Sequence, residues 1–206
     1  MRLGLSVAGR IVYDPSTFRA DGSVLWRKME ILGMMNGQDG DVASAFVEET
    51  RAAIDQEHRR ITYCLKQLDQ EQVWRRPNPH VNCIGNIILH LCGNLRQWFL
   101  HGLGGEKDIR RRPEEFAATG PIRKEDLLCS LGAVIERIDA LLGSVTAETL
   151  LEPRRIQGFD RSVLAAVYGT VGHLEGHSLQ IAYITHMLTG EQYKPFWKPE
   201  SEEQGG

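Results

Sequence analysis

The segment NCIGNIILHLCGNLRQWFLHGL, Asn82 to Leu103, is apolar on most of its sides. A helix of that kind has little face to offer to water and is stable only where other helices surround it. Any fold of this chain must therefore place residues 82–103 centrally and supply partners for them. Those partners are legible on both sides. From Asp41, a candidate N-cap, a helix is expected to about Leu68, with Phe46, Thr50, Ile54, His58, Ile61, Leu65 and Leu68 at three-and-four spacing on its inward face. Pro77 and Pro79 cannot sit in a helix interior and break the pattern, after which Asn82 is expected to cap the central helix.

A third helix, about 123–143, carries Leu127, Leu131, Val134, Ile138 and Leu141 on one face and stops at Gly143. Residues 144–159 read as a connector with a short extended piece at Arg154 to Phe159. Asp160 is expected to cap the last helix, which runs to Leu188 with Gly190 as its stop. Four long amphipathic segments, no internal repeat and almost no strand signal predict an all-α fold, a four-helix bundle. The domain organisation expected is a poorly structured N-terminal extension or linker over 1–38, the bundle over 39–200 and a flexible tail over 201–206. An over-read start, with Met34 or Met35 as initiator, is the other reading of the extension.

Charge and composition narrow the function. A net charge of -3 argues against nucleic acid as a partner. No apolar run approaches a membrane span, and the interrupted start does not read as a secretory signal. Cys64, Cys83, Cys92 and Cys129 show no CxxC spacing, so the expected compartment is the reducing cytoplasm.

Chemistry concentrates in two polar stripes. His173 and His177 lie four residues apart within the last helix, so both rings can aim at one point. On the central helix the polar residues Asn86, His90, Asn94, Gln97 and His101 recur at steps of four, four, three and four. Unpaired amides and imidazoles cost about 1–3 kcal/mol each when buried, so such a stripe should face partners, water or an ion. Thr170, His173, His177 and Gln180 form the facing stripe. His90, His173 and His177 are therefore the candidate metal ligands, a three-nitrogen set that leaves coordination open to water or substrate. Zinc is the default ion, with nickel, cobalt or iron as alternatives.

Asn94 and Asn86, one turn either side of His90, are candidates for holding a water or a substrate oxygen, and Gln180 for supporting His177. For each amide, hydrogen bonding between helices is the plainer account. Glu175, between the two histidines, should point away from them and is not cast as a base, and Cys92 reads as a packed thiol. His58 is either a fourth ligand, a proton relay or, more simply, a core histidine. Gly169, Gly172 and Gly176 lower helix propensity beside the histidine face, which fits close helix packing or room for a ligand. The basic loop Arg110, Arg111, Arg112 could hold carboxylates of a cofactor or substrate, or be a solvated loop.

NCIGNIILHLCGNLRQW and HLEGHSLQIAYI together resemble the DinB/YfiT-like superfamily of metalloenzymes, with RRRPEEF and GPIRKEDLL similar to one uncharacterised subfamily. The resemblance spans roughly residues 40–195; Leu179 stands where the family often has glycine. It implies a four-helix bundle with one histidine on the second helix and a His-x3-His pair on the last, again His90, His173 and His177. Some relatives are thiol-dependent transferases or isomerases using a low-molecular-weight thiol such as bacillithiol or mycothiol. Others are described as metal-dependent hydrolases, many have no assigned activity, and such bundles often pair as homodimers. The expectation is thus a metal-dependent thiol S-transferase or hydrolase acting on a small-molecule electrophile, with Arg111 and Arg112 as cofactor-binding residues. A non-catalytic metal- or ligand-binding stress-response protein is the alternative, and a purely helical interaction module a third.

Overall fold

The computed structural model describes residues 39–120 and 122–197; the expected extension, 1–38, and tail, 201–206, lie outside the described residues. The expected bundle is present. Its long helices are α1 (Asp39–Lys66), α3 (Ile84–Leu95), α5 (Lys124–Leu142) and α7 (Val163–Thr189). α1 packs against α7 and α5, and α3 against the same two, so α1 and α3, successive among the long helices, occupy opposite corners. The stretches between corners hold the short helices α2 (Gln70–Trp74), α4 (Arg112–Ala117) and α6 (Ala147–Leu151) and a hairpin of β1 (Pro153–Ile156) and β2 (Phe159–Ser162).

α3 is central, as its sequence demands. Ile84, Ile87, Ile88, Leu91 and Leu95 are buried together with Asn86, His90 and Asn94, so its polar stripe is inside the molecule. Its start is fixed by α2, whose Asp69 and Gln72 form a reciprocal capping box. Trp74 at the end of α2 lies on Gly85, where a Cβ would stand 2.9 Å from the indole. The indole N–H donates to the Ile122 carbonyl at 2.9 Å, tying α2 to the entry of α5.

Four boundaries differ from expectation. Asp41 is not the cap of α1 but lies inside it, since the helix already includes Asp39. The residue before α3 is Cys83, without a side-chain cap, rather than Asn82. α3 continues as a π-helical turn, Arg96–His101, a wider turn that shifts the following side chains around the axis. Asp160 is not the cap of α7: it lies in β2 and bonds Arg155 across the hairpin, and Ser162 caps the helix by accepting from the Ala165 N–H at 3.2 Å. The expected extended piece, 154–159, runs through β1 and the turn to the first residue of β2. Its two-residue turn, Gln157 and Gly158, has positive φ at both positions, the geometry a tight hairpin requires.

Candidate metal centre

α3 and α7 bring His90, His173 and His177 together. His90 is 5% exposed, while His173 and His177 are half-buried. His90 Nε2 and His173 Nε2 are 3.0 Å apart, and one nitrogen from each of the three rings lies within 4.8 Å of the others. Ring centroids are 4.5–5.2 Å apart, and the planes cross at 72–89°. An ion with metal–nitrogen bonds of about 2.1 Å holds its nitrogens roughly 3.3 Å apart, so small ring movements bring this set to ligand spacing.

The outward nitrogens of His90 and His177 are already occupied. Glu115 Oε2 is 3.0 Å from His90 Nδ1. Arg110 Nη2 stands 3.0 Å from the same ring nitrogen and 2.9 Å from Glu115 Oε2. A guanidinium only donates, so the carboxylate is the group that accepts from both, which keeps the ring proton on Nδ1 and a lone pair on Nε2. His177 Nδ1 is 2.9 Å from Gln180 Oε1, which fixes that ring in the same sense.

Electrostatics favour neutral rings at His90 and His173. Burial pushes the His90 imidazole below its ordinary pKa, and the Arg110 and His177 charges add to this against Glu115. His173 is lowered to about 4, first by burial and then by the charges of His177, His90, Arg110 and Arg112. Neutral imidazoles with inward lone pairs are what a divalent ion needs.

Glu115 is itself buried, on α4, and fully engaged. Arg110, its side chain 4% exposed, donates from Nε to Oε1 at 2.7 Å and from Nη2 to Oε2. Arg110 Nη1 donates to Gln97 Oε1 at 2.9 Å, Gln97 Nε2 to Asp108 Oδ2 at 2.6 Å, and Gln157 from the hairpin tip also donates to Gln97 Oε1. Gly93 admits the carboxylate. A Cβ there would overlap Glu115 Oε1 and stand 2.9 Å from its carboxyl carbon.

The other expected site residues divide. Asn86 is locked by protein partners: its Oδ1 accepts from Arg76 and Cys83, and its Nδ2 donates to the Glu115 and Ala118 carbonyls, pinning α4 to α3. Asn94 is buried, and its Oδ1 has no hydrogen-bond partner among the described residues, one turn from His90 on the same helix face. An orphaned acceptor there fits a bound water or ligand donor. Arg111 is exposed and paired with Glu114, whereas Arg112 lies 5.0 Å above the Phe116 ring, itself 5.0 Å from the His90 ring. His58 is not a fourth ligand: it packs from α1 toward Gly132 of α5, away from the α3–α7 cluster. Glu175 is exposed, as expected. Gly169, Gly172 and Gly176 serve no close packing among the described residues, since a Cβ on each would meet nothing within 4 Å.

Glu115 and Phe116 are not among the residues expected at the site, because RRRPEEF has no helical period and reads as a loop. The signal was present: a proline followed by two glutamates is a helix start, and α4 begins there.

Residues 41–202 match the family described as "Protein of unknown function (DUF1572)". No curated protein matches the chain. Among solved structures, a conserved protein from Enterococcus faecalis superposes with a TM-score of 0.61 at 16% identity, over 70% of this chain and 97% of that one. A DinB-like protein, YjoA, from Bacillus subtilis gives 0.56 at 11% identity, over 73% and 98%. At that identity the likeness is one of fold. The fold and the imidazole cluster together fit a metal-binding protein.

Proposed function

This chain belongs to the DUF1572 family and has the DinB-like helical fold, and we propose that it is a metal-dependent enzyme whose divalent ion is held by His90, His173 and His177. The observation that carries the reading is the 3.0 Å approach of the His90 and His173 Nε2 atoms while Glu115 holds the opposite nitrogen of His90. Neutral His173 can carry its one ring proton on Nε2 and donate it to the His90 lone pair; with the proton on its other nitrogen, both lone pairs are free for an ion to take that proton's place. Zinc is the first choice for three imidazoles, with nickel, cobalt or iron as alternatives.

The ion would supply Lewis-acid activation of a thiol or of water. The residues around it do the rest. Glu115 and Gln180 orient His90 and His177. Phe116 covers one side of the His90 ring, and Arg112 places a cation beside it for the carboxylate or phosphate of a bound cofactor or substrate. The half-buried His173 and His177 leave a side open to a small molecule. The reaction proposed is S-transfer from a low-molecular-weight thiol to a small electrophile, or hydrolysis of one. The test is metal analysis of the purified protein, then panels of electrophiles with and without thiols on wild type and His173→Ala. Metal-free protein that binds no added zinc, nickel, cobalt or iron rejects the reading.

A second reading, a non-catalytic metal- or ligand-binding stress-response protein, is favoured by one observation: Glu115, the carboxylate beside His90, is spent on Arg110 and the His90 ring and is not free as a base. Absorption of the cobalt-substituted protein separates the two. A spectrum that shifts on adding thiol marks an open position and supports the enzyme.

We further propose a cytoplasmic homodimer. Leu164, Tyr168, Leu179, Tyr183 and Met187 form an exposed apolar stripe along α7, flanking Gly172 and Gly176, which supports self-association through this face. A monomeric sedimentation coefficient at micromolar concentration rejects it.

A further inference from the structure

Beside the Glu115 carboxylate lies a cavity of about 380 Å³ that none of the three imidazoles lines. The π-helical turn after α3 contributes Arg96, Gln97 and His101 to its wall, and the segment before α4 contributes Lys107, Asp108 and Arg110. Its volume lies in the range of small-molecule sites.

The charges of the wall are unevenly matched. Arg110 is spent on Glu115 and Gln97, and Arg111 on Glu114. Glu106 is turned to Arg137, and Asp108 accepts from Gln97 and the Arg110 backbone N–H. Arg96 and Lys107 have no hydrogen-bonded or ion-paired partner among the described residues, and Arg96 is half-buried. A half-buried guanidinium without a counter-charge is an anion site in waiting, because the desolvation has already been incurred. Leu89 and Ile109 give the same cavity an apolar side, and Ile109 is 64% exposed.

We propose that this cavity is a second ligand site, taking a small organic anion whose carboxylate or phosphate meets Arg96 and Lys107 and whose apolar body lies on Leu89 and Ile109. Arg110 forms the floor and is not the anion's main partner, since its donors are committed. The site does not depend on the imidazoles holding a metal.

Calorimetric titration of the full chain with phenyl phosphate and with benzoate tests it, on wild type, Arg96→Met, Lys107→Met and His173→Ala. Losing a charge-assisted hydrogen bond weakens binding by about tenfold or more. The expected result is single-site binding of at least one probe, weakened about tenfold or more by Arg96→Met and by Lys107→Met and unchanged by His173→Ala. Lys107 is exposed, so its variant keeps the test valid if Arg96→Met fails to fold. The proposal is overturned by titrations insensitive to both cation variants. It is equally overturned if His173→Ala abolishes binding, which moves the anion to the imidazoles, or if neither probe binds at millimolar concentration.

Discussion

Glu115 Oε2 and His90 Nδ1 are 3.0 Å apart, joining a buried carboxylate on α4 to the imidazole at the centre of α3. The carboxylate fixes which ring nitrogen carries the proton and raises the donor strength of the other. Glu115→Gln keeps the shape and removes the charge. Zinc affinity, measured by competition with a chromophoric chelator, should fall about 10- to 100-fold. Because Arg110 is then left buried without its anion, the metal-free fold should also lose on the order of 3 kcal/mol. Unchanged affinity in a folded variant would remove Glu115 from the site.

Gly93→Ala separates sterics from charge. In an exposed helix the change should stabilise by about 1 kcal/mol through propensity alone. Here the new Cβ overlaps Glu115 Oε1, so the carboxylate must leave His90 or α4 must shift. The expected outcome is a lower melting temperature and weaker zinc binding, opposite in sign to the propensity effect. A stabilised variant with wild-type affinity would show that α4 yields freely.

These two positions mark where the sequence stopped being readable. The long helices and the convergence of His90, His173 and His177 follow from a 3.6-residue period and a four-residue spacing, which need no knowledge of distant contacts. α4 is six residues long, too short for a period to show, and its Glu115 meets His90 from 25 residues away. The entry to α7 failed for a related reason. Asp160 and Ser162 are both capping residue types, and pairing of β2 with β1 gives Asp160 to Arg155, leaving Ser162 for the helix. The two glycines of the Gly172–Gly176 pair read as packing residues because sequence cannot say whether a helix face meets its own chain.

The metal-free protein should weaken in mild acid. An unfolded imidazole takes its proton near pH 6.5, whereas burial holds His173 to about 4 and keeps His90 and His58 below the ordinary value as well. Between those values the unfolded chain binds more protons, so stability is fully present above about pH 6.5 and is lost as the pH falls toward the folded values. The urea midpoint of chelated protein should drop between about pH 7.5 and about pH 5, above the range in which ordinary carboxylates titrate. A midpoint flat over that interval contradicts neutral burial of these rings.

Thiol chemistry gives an independent check of the packing. Burial raises Cys64 to about 11 and Cys92 to about 12, and Cys83 is buried with its Sγ on Asn86. Cys129 is exposed on α5. Since the thiolate is the reactive form, native protein should show one fast thiol toward a disulfide reagent and release the other three on unfolding. Loss of the fast phase in Cys129→Ser assigns it; a second fast thiol in that variant would place Cys83 or Cys92 closer to solvent than described.

Zinc binding should stabilise the whole bundle, because its ligands join α3 to α7 and the unfolded chain holds no such set. At a free zinc concentration about 100 times the dissociation constant the gain is about 2.7 kcal/mol. For a domain of this size each kcal/mol moves the melting temperature by about 2–4 °C, so a rise of roughly 5–10 °C is expected in calorimetry. His173→Ala removes one of the three ligand nitrogens and should abolish that rise. His58→Ala, on the α1–α5 contact and outside the ligand cluster, should keep the zinc response even where it lowers the metal-free value. The contrast distinguishes ligation from packing: if both variants retain the rise, zinc binds elsewhere, and if both lose it, the effect is general destabilisation.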